Sequence, residues 1–150
     1  MATNAQMVFD HAMDLMDERN ETTGMTDTSD TKEYKQRTLG ILNMLRGEVY
    51  RYSDTFRGSA VGFRPIVKRI EDFDEDIMLD DYICQTVLPY GLAAHLLIDE
   101  NPTSANFFQT RYEELLRQAV LGMPSASEDI VDVYGPNGGI FPYNEFSMWG

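Results

Sequence analysis

Between residues 34 and 52, Tyr34, Thr38, Ile41, Leu42, Leu45, Val49 and Tyr52 recur at three- and four-residue intervals. That spacing gathers them on one side of a helix, whereas a strand would need alternation. A chain built around such a stripe must bury it against further helices. Asp30 followed by Glu33 resembles an N-cap with a reaching carboxylate, which predicts a helix start near Ser29–Thr31. Gly40 and Gly47 lie about two turns apart inside the helix, and each costs about 1 kcal/mol relative to alanine. Two readings stay open: another helix approaches closely there, or glycine is merely tolerated.

Three further helices follow from the same reasoning. From roughly Asn4 to Arg19, Val8, Ala12, Leu15 and Met16 recur against Asp10, Asp14, Asp17 and Glu18, with Thr3 or Asn4 as cap. The stretch from Asn20 to Asp30 is polar and small, with Gly24 as a breaker, and reads as a loop. A third helix is expected to begin around Asp76 to Asp80, whose carboxylates favour a helix N-terminus, and to carry Leu79, Ile83, Val87, Tyr90, Ala94, Leu97 and Ile98. Pro89 should kink or restart it, because proline lacks the donor for the bond four residues back. Asn101 and Pro102 then read as N-cap and first residue of a fourth helix, whose buried stripe is Ala105, Phe108, Tyr112, Leu115, Leu116 and Ala119. Gly122 and Pro124 end it.

Two segments break the helical pattern. Around residues 54–75, Gly58, Gly62 and Pro65 punctuate the chain, and short apolar alternation from Phe63 to Ile70 fits an extended arm or a short hairpin. From about Pro124 onward, Gly135, Pro136, Gly138, Gly139 and Pro142 exclude a long helix. Yet Ile130, Val131, Val133, Tyr134, Ile140, Phe141, Tyr143, Phe146, Met148 and Trp149 are too apolar to be left in water. The tail packs back on its own helices or docks on another subunit. Docking is the preferred reading, since aromatic anchors on an extended arm are typical of interface hot spots. The expected fold is therefore mainly α, with four helices, an extended central arm and a non-helical tail. Residues 1–123 form the helical domain and residues 124–150 the docking tail.

One core suffices for 150 residues, and a hydrophobic share of 43% argues against disorder. With 25 acidic and 12 basic residues the formal net charge is −13, which opposes tight binding to phosphate backbones. Acidity on this scale suits a conduit that DNA slides through without sticking, or serves solubility alone. Cys84 has no partner cysteine and lies beside Ile83 and Val87, as expected of a small buried hydrophobe. No basic region precedes an apolar run near Met1, and no stretch approaches the roughly 18 apolar residues of a membrane span. The expectation is a soluble, intracellular product without membrane contact.

The sequence carries no constellation typical of catalysis. His11 and His95 stand on separate helices, without the histidine four residues away that a zinc-binding helix would show. The run from Gly135 to Gly139 lacks the following Lys-Ser/Thr of a phosphate loop and reads as a turn. Glu71, Asp72, Asp74, Glu75, Asp76, Asp80 and Asp81 are dense enough to attract Ca²⁺ or Mg²⁺ but lack the calcium-loop arrangement, so a solvated acidic face is expected. Neither catalytic residues nor a cofactor or metal are expected.

The run from Leu88 to Pro102, LPYGLAAHLLIDENP, followed by Phe107-Phe108 and by RYEELL from Arg111 to Leu116, resembles the helical hairpin of the head-to-tail connector (adaptor) proteins of tailed bacteriophages. The resemblance covers mainly residues 76–121, and its marks are Pro89, Tyr90, Glu100, Pro102, Arg111 and Tyr112. It implies an adaptor-type helical bundle repeated as a ring, commonly a dodecamer, beneath the phage portal protein. Such a ring extends the DNA channel toward a tail-side protein and makes no sequence-specific contact with DNA. The expected location is the head–tail interface of the virion, after synthesis in the bacterial host cytoplasm. Arms and tails in such proteins grip the portal and neighbouring subunits. Here the candidate arm residues are Phe56, Phe63, Ile66, Val67 and Ile70, and the candidate tail anchors are Ile130, Val133, Tyr134, Ile140, Phe141, Tyr143, Phe146 and Trp149. Alternatives are an acidic inhibitor or DNA mimic bound to a basic partner, another connector layer such as a stopper or tail terminator, and, more remotely, a small enzyme.

Overall fold

The computed structural model describes residues 2–53 and 67–121. Among them four α-helices are formed: α1 (Ala5–Leu15), α2 (Lys32–Val49), α3 (Leu88–Leu97) and α4 (Pro102–Leu121). The tail anchors from Ile130 to Trp149 and the arm residues Phe56, Phe63 and Ile66 lie outside the described residues.

Asn4 caps α1, its side-chain oxygen accepting from the Met7 amide at 2.9 Å. The helix stops at Leu15 rather than running to Arg19, because Asp17 takes a left-handed φ of 59° and turns the chain. Arg19 folds back on Asp14 with two bonds of 2.5 and 2.9 Å and donates to the Gly24 carbonyl at 2.6 Å, which pins the following loop.

Helix α2 buries Tyr34, Thr38, Leu42, Leu45 and Val49 as its stripe requires. Its start differs from the expected capping box. Thr31 occupies the N-cap, and its hydroxyl donates to the Thr26 carbonyl at 2.5 Å, so no side chain caps the first turn and Asp30 plays no such part. The two glycines of α2 face open space: a Cβ on Gly40 or Gly47 would meet nothing within 4 Å. Close helix approach occurs instead at Gly91 of α3, where a Cβ would stand 2.9 Å from the Tyr112 ring of α4.

The expected extended arm or short hairpin around residues 54–75 falls largely outside the described residues, and the described part of the central segment, residues 67–80, runs irregularly across α1 and α2. It makes a single bridge between Asn4 and Asp76 and no strand. Two polar residues of α2 hold it. Asn43 pairs with both backbone groups of Ile70 at 2.9 Å each. Arg46, only 4% exposed, donates to the carbonyls of Ile77 at 3.1 Å and Lys68 at 2.8 Å. The same segment completes α1: the first free amides of that helix, on Ala5 and Gln6, donate to the carbonyls of Glu75 and Phe73.

Helical structure resumes at Asp81, slightly later than the acidic run suggested, and passes through a π-turn over Ile83–Val87 in which the Leu88 amide reaches back to the Ile83 carbonyl. This widened turn is how Pro89 is accommodated. The hydrogen-bond ladder is already interrupted before it, so the missing N–H falls in the first turn of α3, where no partner is needed. Helix α3 is apolar nearly all round and correspondingly central, packed by α1, α2 and α4. Asn101 caps α4 through the Ser104 amide at 3.2 Å, and Pro102 opens the helix as the sequence requires. Phe9, Met13, Leu42, Leu45, Ile77, Leu88, Leu92 and Leu96 fill the middle of the core.

Candidate interaction surface

Helices α2 and α4 flank α3 without packing closely on each other, and the space between them is a surface groove. At one end is a hollow of about 450 Å³ lined by Met44, Glu48, Ala94, Ile98, Ala105 and Gln109. Glu48 and Gln109 are shared with a second hollow of about 390 Å³, which also takes in Arg51, Tyr52, Tyr112 and Glu113. Tyr52 and Glu113 continue into a third with Leu116 and Arg117. The hollows thus form one path along α4, from the α3–α4 turn to the last turns of the helix.

Two properties set this groove apart from ordinary surface. Met44 is 63% exposed and Ile98 57%, so large apolar side chains stand in water at its wide end. Tyr112, 3% exposed, contributes a hydroxyl that is shut off from solvent and finds no hydrogen-bond partner among the described residues. Buried hydroxyls are normally paired, and an unpaired one costs about 1–3 kcal/mol. Burial also raises the Tyr112 pKa, so the group remains a neutral donor. The exposed side chains of Met44 and Ile98 suit the wide end of the groove to an apolar segment.

The residues carrying the adaptor resemblance divide by role. Pro89 is buried in the first turn of α3, and Tyr90, half-buried, packs on Phe108 with ring centroids 6.1 Å apart. Glu100, in the α3–α4 turn, accepts from the Tyr34 hydroxyl and so ties the turn to α2. Arg111 pairs with Glu114 on the outer face at 3.2 Å. Of the six, Tyr112 reaches the groove. Ile70 is 2% exposed and belongs to this chain's own core, while Val67 is half-buried against it.

Electrostatics follow the loops. Glu71, Asp72, Asp74, Asp76 and Asp81 are exposed, Glu75 is half-buried and folds back on its own loop, accepting from the amides of Glu71 and Asp72 at 3.1 Å each, and Asp81 accepts from the Thr3 hydroxyl at 3.0 Å. At the Glu100 turn, burial and then the charges of Glu100, Asp30 and Asp17 push the Glu18 pKa above the usual carboxylate range. Among the described residues no group of three or more His, Cys, Asp or Glu side chains is placed to hold a metal ion, and no helix is long and apolar enough to cross a membrane. His95 is exposed on α3, and His11 on α1 keeps a buried Nδ1 without a partner among the described residues. The Cys84 thiol is buried, donates to the Leu79 carbonyl and is pushed up to about 12 by desolvation.

The groove residues Met44, Glu48 and Gln109 escaped the sequence reading because they belong to no buried stripe. A signal was present in α2, where Met44 stands on one face with Gly40 and Gly47, an exposed methionine between two positions without side chains. No protein-family model, no curated protein and no solved structure matches the chain.

Proposed function

We propose that this chain is a structural subunit of a head-to-tail connector in a tailed bacteriophage, assembled as a ring beneath the portal and continuing the DNA channel. The observation that carries the reading is the α3–α4 hairpin. The run that resembles the adaptor family folds as a central apolar helix, a capped turn at Asn101 and a long outer helix. Its outer helix borders an unfilled groove. A ring of identical copies joins one patch to a different patch on the neighbour until the circle closes. Obligate interfaces often bury about 2,000 Å² or more. A chain of 17.1 kDa reaches that area most readily by lending an arm or a tail to its neighbours. Tyr143, Phe146 and Trp149 are the anchors in this reading, gripping the portal or an adjacent subunit, and the net charge of −13 keeps passing DNA from adhering.

Truncation after Pro136 tests the proposal. The shortened chain should stay folded, retain its helical circular dichroism and fail to join purified portal rings; assembly at the normal rate would remove the tail from the mechanism. The exposed acidic loop from Glu71 to Asp76 favours a second reading, an acidic inhibitor of a basic protein. Salt separates the two: a contact between charges weakens as ionic strength rises, while one built on apolar burial persists.

A further inference from the structure

We infer that the groove between α2 and α4 is a docking site for an amphipathic helix of a partner protein, one that carries an apolar anchor and, about two turns further on, a lysine or arginine. The inference concerns a contact that the connector reading does not supply, and it does not depend on that reading.

The two hollows of the groove differ in chemistry. The wide end presents the exposed side chains of Met44 and Ile98 beside Ala94 and Ala105, so it favours an apolar occupant. The next hollow combines carboxylates with aromatic rings: Glu48 of α2 and Glu113 of α4 line it together with Tyr50, Tyr52 and Tyr112. Both glutamates are exposed, and neither forms an ion pair among the described residues. Glu113 accepts from the Gln109 side chain at 3.2 Å. Arg51 borders the same hollow but holds its guanidinium over the Tyr52 ring, 4.9 Å from the centroid. The two carboxylates act on one place, since burial raises the Tyr112 pKa and the charges of Glu48 and Glu113 add to the rise. An ammonium or guanidinium entering here meets two carboxylates and aromatic rings, both of which favour a cation.

Spacing selects a helix. Asn106 lines the apolar end and Glu113 the acidic hollow, about 10 Å apart along α4 at the helical rise. A partner helix laid along α4 covers that distance in about seven residues and returns its side chains to the same face. An extended strand covers it in about three residues, which point to opposite faces. An apolar stripe with a basic residue two turns on is the pattern that a helix in a groove presents. Charge sets this chain's own tail aside as the occupant. Residues 122–150 contain Glu128, Asp129, Asp132 and Glu145 and no lysine or arginine, so like charges would meet at Glu48 and Glu113.

Nuclear magnetic resonance titration of the full-length ¹⁵N-labelled protein tests this. The probe is a stapled, alanine-based helical peptide carrying one leucine and one arginine about seven residues apart. It should shift the amide signals of Met44, Glu48, Ile98 and Glu113 in a saturable way. Glu48→Lys combined with Glu113→Lys, both at exposed positions, should weaken binding at least tenfold with unchanged circular dichroism. A peptide with glutamate in place of its arginine should regain binding to that double variant, which loss of fold would not allow. No saturable shift, binding indifferent to the double charge reversal, or shifts centred on residues 71–76 would overturn the inference. So would nuclear Overhauser contacts between Met44 and Trp149 in the free protein, or self-association abolished by the double reversal, which would give the groove to this chain's tail or to a second copy.

Discussion

Gly91 of α3 lies against the ring of Tyr112 on α4 so closely that a Cβ there would stand 2.9 Å from Tyr112 Cδ2, and 3.3 Å from Leu45 Cδ1 of α2. Three helices converge at a position with no side chain. Gly91→Ala should therefore cost about 1–3 kcal/mol through overpacking, seen as a lower urea midpoint. Gly40→Ala and Gly47→Ala face open space, and each should gain up to about 1 kcal/mol from helix propensity.

Arg46 binds the irregular central segment to α2 through the carbonyls of Ile77 and Lys68. Arg46→Met fills similar volume but leaves those buried acceptors unpaired, at a cost of about 1–3 kcal/mol. Native-state hydrogen exchange should show the loss concentrated at residues 67–80 and at the first amides of α1, which that segment caps.

Glu18 gives stability a defined pH dependence. Its folded-state pKa is raised by burial and by Glu100, Asp30 and Asp17, so the native state binds a proton more readily than the unfolded chain. The penalty is complete above the raised value, shrinks as pH falls through it and is gone below the ordinary carboxylate value of about 4.3. Glu18→Gln should raise the melting temperature at neutral pH and lose that advantage in acid. Asp14 has the opposite sign: its bond to Arg19 lowers its pKa, and the stability it lends is lost as pH falls.

Cys84 should be inert in the native protein. Its thiol is buried and pushed up to about 12, so little thiolate exists at pH 8. A thiol reagent should react only at the rate of unfolding, and quickly once urea is added.

The parts of the fold legible in the sequence are those fixed by local chemistry. Asn4 and the Asn101-Pro102 pair mark helix starts because capping needs only residues within one turn, and the α2 stripe from Tyr34 to Val49 declares its buried face by period. What stayed hidden depends on distant partners. Arg46 carries no local mark of its burial, which is explained only by carbonyls contributed by residues 68 and 77. Asp30 looked like a cap, but Thr31 held by the Thr26 carbonyl took that place. Pro89 announced a break without revealing that a π-turn over Ile83–Val87 would absorb it. The groove is the hardest case, being a space left between α2 and α4 rather than a property of either helix.

Cryo-electron microscopy of phage heads containing the protein tests the central claim most directly. The account expects a closed ring of this chain immediately below the portal, with α3 central in each subunit and the DNA channel continuing through the ring. A discrete monomer or dimer bound to a basic host protein, with no density for the chain at the portal, would contradict it.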